Sequence, residues 1–118
     1  MIEQTLIKAF KASEDLKPNT VVKFNDDGTV STAKSETDKI AGVVHPAGNS
    51  FKKDEYQSIV IMGIINVVAG ADLKAGDGVG VDANGNAIVG KSLGKSMYPA
   101  KKGDMAHVLV NIQASGAA

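Results

Sequence analysis

One stretch of the chain matches a phosphate-binding motif. Residues Gly85 to Ser92 read G-N-A-I-V-G-K-S, which satisfies the P-loop pattern G-x-x-x-x-G-K-[ST]. A P-loop needs a buried strand before the glycines and a helix after them, so that backbone N–H groups converge on phosphate. Here the interior residues 86–89 are strand-like, and the following segment contains Gly94 and Pro99, which oppose a helix. The pattern favours a hairpin followed by a loop, and a nucleotide-binding enzyme is the weaker alternative.

Two turn-like segments contain carboxylates but lack the complete spacing of a metal site. Asp82, Asn84 and Asn86 are spaced like the start of a calcium-binding loop. The glycine falls at position 85 rather than 87, however, and position 93 is Leu where a bidentate Glu is required. The segment Asn25–Gly28 lacks that Glu too, and both segments are typical of tight turns. We therefore expect no metal site.

The remaining chemistry-bearing residues do not form a catalytic pattern. Gly76 to Gly80 read G-D-G-V-G, which differs from the dinucleotide fingerprint and has no βαβ unit around it. His45 and His107 lie in strand-like contexts without a histidine or carboxylate at ligand spacing. The chain has no cysteine, which excludes thiol chemistry and disulfides. The sequence predicts a protein that is not an enzyme and uses no cofactor.

The net charge and the apolar runs of the chain argue against two classes of partner, nucleic acids and membranes. The formal net charge is zero and the pI is about 6.7, whereas a nucleic-acid-binding domain needs a basic stripe. Glu3 and Lys8 interrupt the region where a secretory signal would be apolar, so we expect synthesis and use in a cytoplasm. The longest apolar run, Ser58–Ala71, is too short and too interrupted by Asn66 to cross a bilayer. Neither nucleic acid nor membrane is an expected partner.

That same run, Ser58–Ala71, is the predicted central strand, because it is rich in β-branched residues and closes on Gly70. Alternation places apolar residues on both of its faces, whereas a strand with one wet face alternates apolar with polar. The first face carries Ile59, Ile61, Gly63, Ile65, Val67 and Ala69, and the second carries Ser58, Val60, Met62, Ile64, Asn66 and Val68. Another layer or another subunit is needed to cover the second face.

Short strands and tight turns dominate the rest of the chain. The predicted strands are Val21–Phe24, Thr29–Thr32, Ile40–His45, Val79–Val81, Asn86–Val89 and Met105–Ile112, besides the central strand from about Tyr56. Thirteen glycines and few aromatic residues fit a turn-rich β protein. We expect an all-β fold with little helix, a small barrel or sandwich of short antiparallel strands and hairpins resembling a β-tulip. The expected organisation is an N-terminal arm (1–12), one β domain (13–113) and a flexible tail (114–118).

The second hairpin repeats the first. Asp15-Leu16-Lys17 precedes one hairpin and Asp72-Leu73-Lys74 precedes the other, 57 positions later. At the same shift, without a gap, Val22 falls on Val79 and Gly28 falls on Gly85. The matching turn chemistry indicates either an internal repeat or convergence on a common hairpin approach.

Most of the chain resembles the head decoration proteins of tailed bacteriophages, the small capsid-stabilising or cement proteins of the lambda head-protein D type. The resemblance rests on the hairpin Val21–Ala33, the S-x-x-D-x-I-A-G-V-V pattern of Ser35–Val44, and the M-G-I-I-N-V pattern of Met62–Val67. The second hairpin, Leu73–Ile88, and the strand Val108–Val110 extend it. Unlike the lambda-type proteins, this chain has no tryptophan and no long Pro- and Ala-rich arm.

This resemblance implies a homotrimer on the exterior of a phage capsid, bound to the major capsid protein and made in the host cytoplasm. Such a protein acts by binding alone, and many weak contacts across a lattice combine by avidity. We expect the N-terminal arm to contact the capsid by strand addition, through Ile2, Glu3, Gln4, Thr5, Leu6 and Ile7. We expect the subunit interface to be formed by Ile59, Ile61, Met62, Ile64, Ile65 and Val67.

A biotinyl- or lipoyl-carrier-like module is a further alternative. The stretch Val67–Asp77 resembles the half of such a domain that follows the modified lysine. At the place of that lysine, however, the chain has Ile61-Met62-Gly63, so the lysine-bearing hairpin is absent.

Overall fold

The computed structural model describes residues 5–47 and 51–112, and all regular structure in those ranges is β. The nine strands are β1 (Leu6–Lys11), β2 (Val21–Phe24), β3 (Val30–Thr32), β4 (Ile40–Val44), β5 (Tyr56–Val68), β6 (Gly78–Val81), β7 (Ala87–Val89), β8 (Gly94–Ser96) and β9 (Met105–Asn111). Every pairing between them is antiparallel. The predicted all-β class is confirmed. No helix capable of crossing a membrane is found within the described ranges.

All nine strands belong to one sheet that curls into a half-barrel. Its order is β3-β2-β4-β5-β9-β8-β6-β7, and β1 pairs with β5 outside this path. The curl is visible at Asn19, whose N–H donates to the Val44 carbonyl at 2.9 Å while its side chain donates to the Asn66 carbonyl at 2.8 Å. Val44 pairs with Ile59, seven residues before Asn66, a stretch that would be about 23 Å long in a straight strand. Strand β5 must therefore bend for Asn19 to contact both halves.

The fold consists of two equivalent units that share β5. Strands β1, β2, β3, β4 and the first half of β5 form the first unit, and the second half of β5 with β6, β7, β8 and β9 forms the second. The cross-strand pair Lys11–Tyr56 of the β1–β5 ladder corresponds to the pair Val68–Met105 of the β5–β9 ladder. The next pairs correspond in the same way, as far as Ile7–Val60 and Ile64–Leu109. The isolated parallel bridge Ala12–Val30 likewise recurs as Ala69–Ala87, 57 positions later. The correspondence seen between the two hairpins in the sequence therefore extends to the strand pairing of both units.

The turns repeat as closely as the strands. In the first hairpin the Gly28 N–H donates to the Asn25 carbonyl at 3.0 Å, and in the second the Gly85 N–H donates to the Asp82 carbonyl at 3.3 Å. Gly28 has a φ of 88° and Gly85 a φ of 79°, a conformation that glycine adopts without steric cost. The tight turns predicted at these two places are thus the same structure built twice.

The buried apolar residues form two clusters, one within the first unit and one that combines the second unit with Val21, Ala33, Ile40 and Val43 of the first. The first cluster contains Ala12, Leu16, Val22, Val30, Ala41, Val44 and Ile59. The second is larger and contains, among others, the equivalents Ala69, Leu73, Val79, Ala87, Leu93 and Val108. Small aliphatic side chains of low volume dominate both clusters, as the scarcity of aromatic residues in the sequence indicates. Two aromatic rings of the first unit, those of Phe10 and Phe24, meet edge to face at 5.3 Å.

The predicted strands agree with the structure to within three residues at each end, with two exceptions. The segment 90–103, interpreted as a loop, contains β8 (Gly94–Ser96). Its three residues include Gly94 and Lys95 and give no apolar alternation, so tertiary pairing with β9 decides their conformation. Residues 6–11 of the expected arm form β1, which pairs with β5 of the same chain. Residues 1–4 and the expected tail, 114–118, lie outside the described ranges.

Candidate interaction surface

Four apolar side chains of β1 and β5 form an exposed patch, which we call the β1–β5 patch: Leu6, Ile7, Met62 and Ile64. Leu6 and Met62 are cross-strand partners and are 55% and 51% exposed. Ile7 and Ile64 are 41% and 43% exposed and line one shallow cavity of about 210 Å³. Large apolar side chains exposed together on a sheet face are typical of a protein–protein contact.

The local backbone explains why these residues face outward together. The ladder between β1 and β5 shifts register at Leu6 and Ile7, which leaves Ile61 as an extra residue on β5. Gly63 follows with a φ of 123°, and a Cβ there would lie 3.0 Å from the Thr5 Cα. Such a bulge re-aims the side chains beside it. Ile61 lies directly before Met62, and Gly63 lies between Met62 and Ile64, so both irregularities adjoin the exposed side chains of β5.

The described residues that line the cavity beside Ile7 and Ile64 carry almost no charge. The remaining residues that line the cavity are Thr5, Asn19, His45, Pro46, Val60, Ile65 and Asn66. His45 is the one titratable side chain in this lining, and its Nδ1 accepts a hydrogen bond from the Ala47 N–H at 3.0 Å. An apolar surface with neutral polar edges suits contact with another protein better than contact with a charged polymer.

The six residues expected at a subunit interface occupy three environments. Ile59 and Val67 are 0% exposed inside the protomer and have no surface with which to contact a partner. Ile61 and Ile65 are half-buried against the two cores. Met62 and Ile64 are exposed. The second face of β5 was expected to be apolar and to need a cover. Met62 and Ile64 are apolar residues of that face that remain exposed in the described structure.

The six residues expected to contact a capsid are only partly described. Ile2, Glu3 and Gln4 lie outside the described ranges. Thr5, Leu6 and Ile7 are exposed, and Leu6 and Ile7 already pair with β5. Leu6 and Ile7 thus adjoin Met62 and Ile64, so the surface expected for the capsid and the surface expected for another subunit form one continuous patch.

The P-loop-like stretch is a hairpin strand followed by a loop, as expected. Residues 87–89 form β7, which pairs with β6, and the loop that follows leads into β8 rather than into a helix. The Lys91 N–H donates to Glu36 Oε1 at 2.7 Å, and the Ser92 N–H points to the same oxygen at 3.3 Å. Backbone donors that would bind phosphate in a P-loop are here engaged by a carboxylate of the same chain.

The turn carboxylates of Asp27 and Asp82 accept hydrogen bonds from residues two to four positions further along the chain. Asp82 Oδ1 accepts hydrogen bonds from the Asn84 N–H at 2.8 Å and from the Asn86 N–H at 3.0 Å. Asp27 Oδ1 accepts from the Thr29 hydroxyl at 2.6 Å and from the Thr29 N–H at 3.0 Å, and these bonds lower the pKa of Asp27. The described residues contain no group of three or more His, Asp or Glu side chains arranged to hold a metal ion.

The second histidine takes part in an aromatic contact. The rings of His107 and Tyr98 meet edge to face at 5.4 Å with an angle of 79° between their planes. Tyr98 is 62% exposed, and the nearby Met97 donates its N–H to the His107 carbonyl. This is a packing role, as the strand-like context of His107 predicts.

Comparison with known proteins places this architecture among solved folds. No protein-family model and no curated protein sequence matches the chain. The structure is similar to the crystal structure of the N base of the head fiber gp8.5 of bacteriophage phi29, with a TM-score of 0.65. The alignment covers 92% of this chain and 95% of that one, at 18% sequence identity. The two chains share a fold. The alignment includes nearly all of both chains, so the similarity extends over both units of this fold.

Proposed function

We propose that this chain is a structural protein of a bacteriophage head, which binds the outer surface of the capsid as a homotrimer and stabilises the lattice. The observation that carries the proposal is the fold shared with a phage head-fiber base over nearly all of both chains. The short motifs that resemble lambda-type decoration proteins point to the same class independently. The proposed partners are the major capsid protein and two further copies of this chain.

The β1–β5 patch supplies the surface that self-association needs. Exposed Met62 and Ile64 would be buried by a neighbouring copy, and burial of apolar area is worth about 25 cal/mol per Å². The adjoining strand β1 pairs on one side with β5, and the described residues place no strand on its other edge. An unpaired edge accepts a further strand through backbone hydrogen bonds, which suits contact of the N-terminal residues 2–7 with a capsid subunit.

The neutral lining described beside Ile7 and Ile64 is consistent with contact to another protein. The formal net charge of the chain is zero, so neither long-range attraction to nucleic acid nor repulsion between copies is expected. Affinity for the capsid then comes from the contacts that each arm makes. A trimer binds through three arms at once, so its avidity exceeds the affinity of a single arm. A protein of this kind needs binding surfaces and no catalytic group.

The test is co-sedimentation with DNA-free expanded heads from the phage that encodes the chain. The full chain is expected to pellet with heads and to saturate at a fixed number of copies per capsid. Deletion of residues 1–8 is expected to lower occupancy at least tenfold, and circular dichroism checks that the shortened chain keeps its β structure. A chain that stays in the supernatant at all concentrations would contradict the proposal, and unchanged occupancy after the deletion would contradict the role of the arm.

The two alternatives from the sequence lose support in the structure. A carrier domain presents its modified lysine at a hairpin tip, whereas Ile61-Met62-Gly63 lies inside β5. The intact mass after co-expression with a biotin or lipoyl ligase is expected to be unmodified. Nucleotide binding through Gly85–Ser92 lacks the helix that a P-loop requires, and calorimetric titration with ATP is expected to give no heat of binding.

A further inference from the structure

The loop that follows β7 forms a cradle around a carboxylate, and we call it the Gly90 cradle, comprising Gly90, Lys91 and Ser92. Glu36, from the loop between β3 and β4, places its Oε1 within 2.7 Å of the Lys91 N and 3.3 Å of the Ser92 N. These residues are 55 and 56 positions from Glu36 in the chain. The contact therefore connects the first unit to the second.

Two glycines provide the space that the Glu36 carboxylate occupies in the cradle. A Cβ added to Gly80 or to Gly90 would collide with the Glu36 carboxylate, so both glycines leave space that the carboxylate fills. Successive backbone N–H groups pointing into such a concavity form a nest for oxyanions. The Ser92 hydroxyl oxygen is buried, and no partner for it is found in the described part of the chain.

The supporting loop holds Glu36 in place. Asp38 Oδ2 accepts hydrogen bonds from the Lys34 N–H at 2.8 Å and the Ser35 N–H at 3.1 Å. The Ser35 and Thr37 hydroxyls lie 3.0 Å apart on either side of Glu36. These local bonds order the loop before it meets the second unit, which lowers the entropic cost of inserting the carboxylate.

We propose that the Gly90 cradle is an oxyanion-binding site whose resident ligand is the Glu36 carboxylate, and that a free carboxylate or phosphate binds there when Glu36 is removed. The glycine-lysine-serine sequence thus retains the oxyanion chemistry of a phosphate loop while its ligand is supplied by the same chain. The site joins the two units by a charge-assisted contact, which is stronger than a neutral hydrogen bond. This inference does not depend on the role proposed for the β1–β5 patch.

The test is a titration of the Glu36→Ala variant with sodium acetate and, separately, with inorganic phosphate, at ionic strength held constant with sodium chloride. In ¹⁵N-correlated NMR spectra, the Lys91 and Ser92 amide resonances are expected to move upfield when Glu36 is removed. Acetate or phosphate is then expected to move both resonances back downfield in a saturable way. The unsubstituted chain is expected to show no such response, because its cradle is occupied.

Three further variants make the test decisive. Glu14→Ala is the matched control, because Glu14 also accepts a backbone N–H, that of Thr32, at 3.0 Å; it is expected to leave Lys91 and Ser92 unmoved. The double variant Glu36→Ala with Gly90→Ala places a methyl group in the cradle and is expected to abolish the response to either anion. Glu36→Gln keeps the shape without the charge and is expected to give a smaller upfield shift than Glu36→Ala.

Two results would overturn the proposal. One is the absence of any saturable anion response in folded Glu36→Ala, which would mean that the cradle holds Glu36 only as an ordinary loop contact. The other is a Glu36→Gln spectrum identical to that of the unsubstituted chain, which would mean that no charged ligand occupies the site. The second result can be read even if Glu36→Ala does not fold.

Discussion

Gln57 is the residue whose burial is hardest to reconcile with its chemistry. Its side chain is 1% exposed in β5, and neither amide atom has a hydrogen-bond partner among the described residues. The equivalent position in the second unit is Ala106, which is also fully buried but has no polar atoms. A buried amide without a partner costs about 1–3 kcal/mol in proteins. The second unit avoids this cost at the same place in the fold.

Gln57→Met is expected to stabilise the protein by about 1–2 kcal/mol, because methionine fills a similar volume without an unpaired donor or acceptor. Urea denaturation followed by circular dichroism measures the change as a higher midpoint with an unchanged slope. Ser58→Ala, at the neighbouring exposed position, is the control and is expected to stay within about 0.5 kcal/mol. A lower midpoint for Gln57→Met would mean that the amide makes a favourable interaction in solution.

At the level of elements, each unit depends on one close approach of two strands. A Cβ on Gly42 of β4 would collide with the Val60 carbonyl oxygen, and a Cβ on Gly94 of β8 would collide with the Leu109 carbonyl oxygen. Val60 and Leu109 are equivalent residues of the two units, 49 positions apart. Glycine is therefore required at this crossing in both units, for a reason of distance between backbones.

Gly94→Ala is expected to destabilise the protein by about 3 kcal/mol or more, because the obstacle is a backbone carbonyl that cannot move without breaking the β8–β9 ladder. Gly76→Ala is the matched control. Gly76 has a φ of 88° but no atom within 4 Å of its Cβ position, so only the backbone strain of about 1 kcal/mol is expected. Denaturant midpoints of the two variants give the comparison. Equal losses would contradict the role assigned to the β8–β9 approach.

For the whole molecule, the duplicated architecture leaves the apolar β1–β5 patch exposed in the described part of the chain. The two halves of β5 bind the units together, and so does the larger apolar cluster, which contains Val21 and Val43 of the first unit. The β1–β5 patch lies outside both clusters at the junction of the units. Surface that is both apolar and contiguous is seldom left uncovered in a soluble monomer. A second copy of the chain is the partner that the proposed function requires.

Light scattering is expected to give a mass of about 37 kDa for the chain, which is three times 12.2 kDa. The double variant Met62→Asp with Ile64→Asp is expected to shift the mass toward 12.2 kDa, because burying two unpaired carboxylates opposes association. Val89→Asp is the control, since Val89 is 58% exposed on β7, away from the patch. A monomeric unsubstituted chain, or a double variant that remains trimeric, would contradict the assignment of this patch.

The strands with local signals could be predicted closely. Turn residues such as Asn25–Gly28 and Asp82–Gly85 specify hairpins by themselves, because glycine tolerates the positive φ that each turn requires. The shift of 57 positions between the hairpins also indicated that the two segments have the same local structure. The full duplication was hidden in the sequence because the offset between equivalent residues of the two units is not constant. It falls from 57 to 52 at β8 and to 49 at β9, where the connecting loops are shorter.

The sequence alone determined the all-β class, the hairpins and the apolar character of β5, since each depends on neighbouring residues and their periodicity. Tertiary structure decided which apolar residues remain exposed. Alternation places Ile59 and Val67 on one face of β5 and Met62 and Ile64 on the other, but only the packing of the sheet shows that the first pair is buried and the second exposed. It also decided the role of Glu36, whose ligands lie 55 and 56 positions away. Contacts across that separation depend on how the two units pack, which no local pattern encodes.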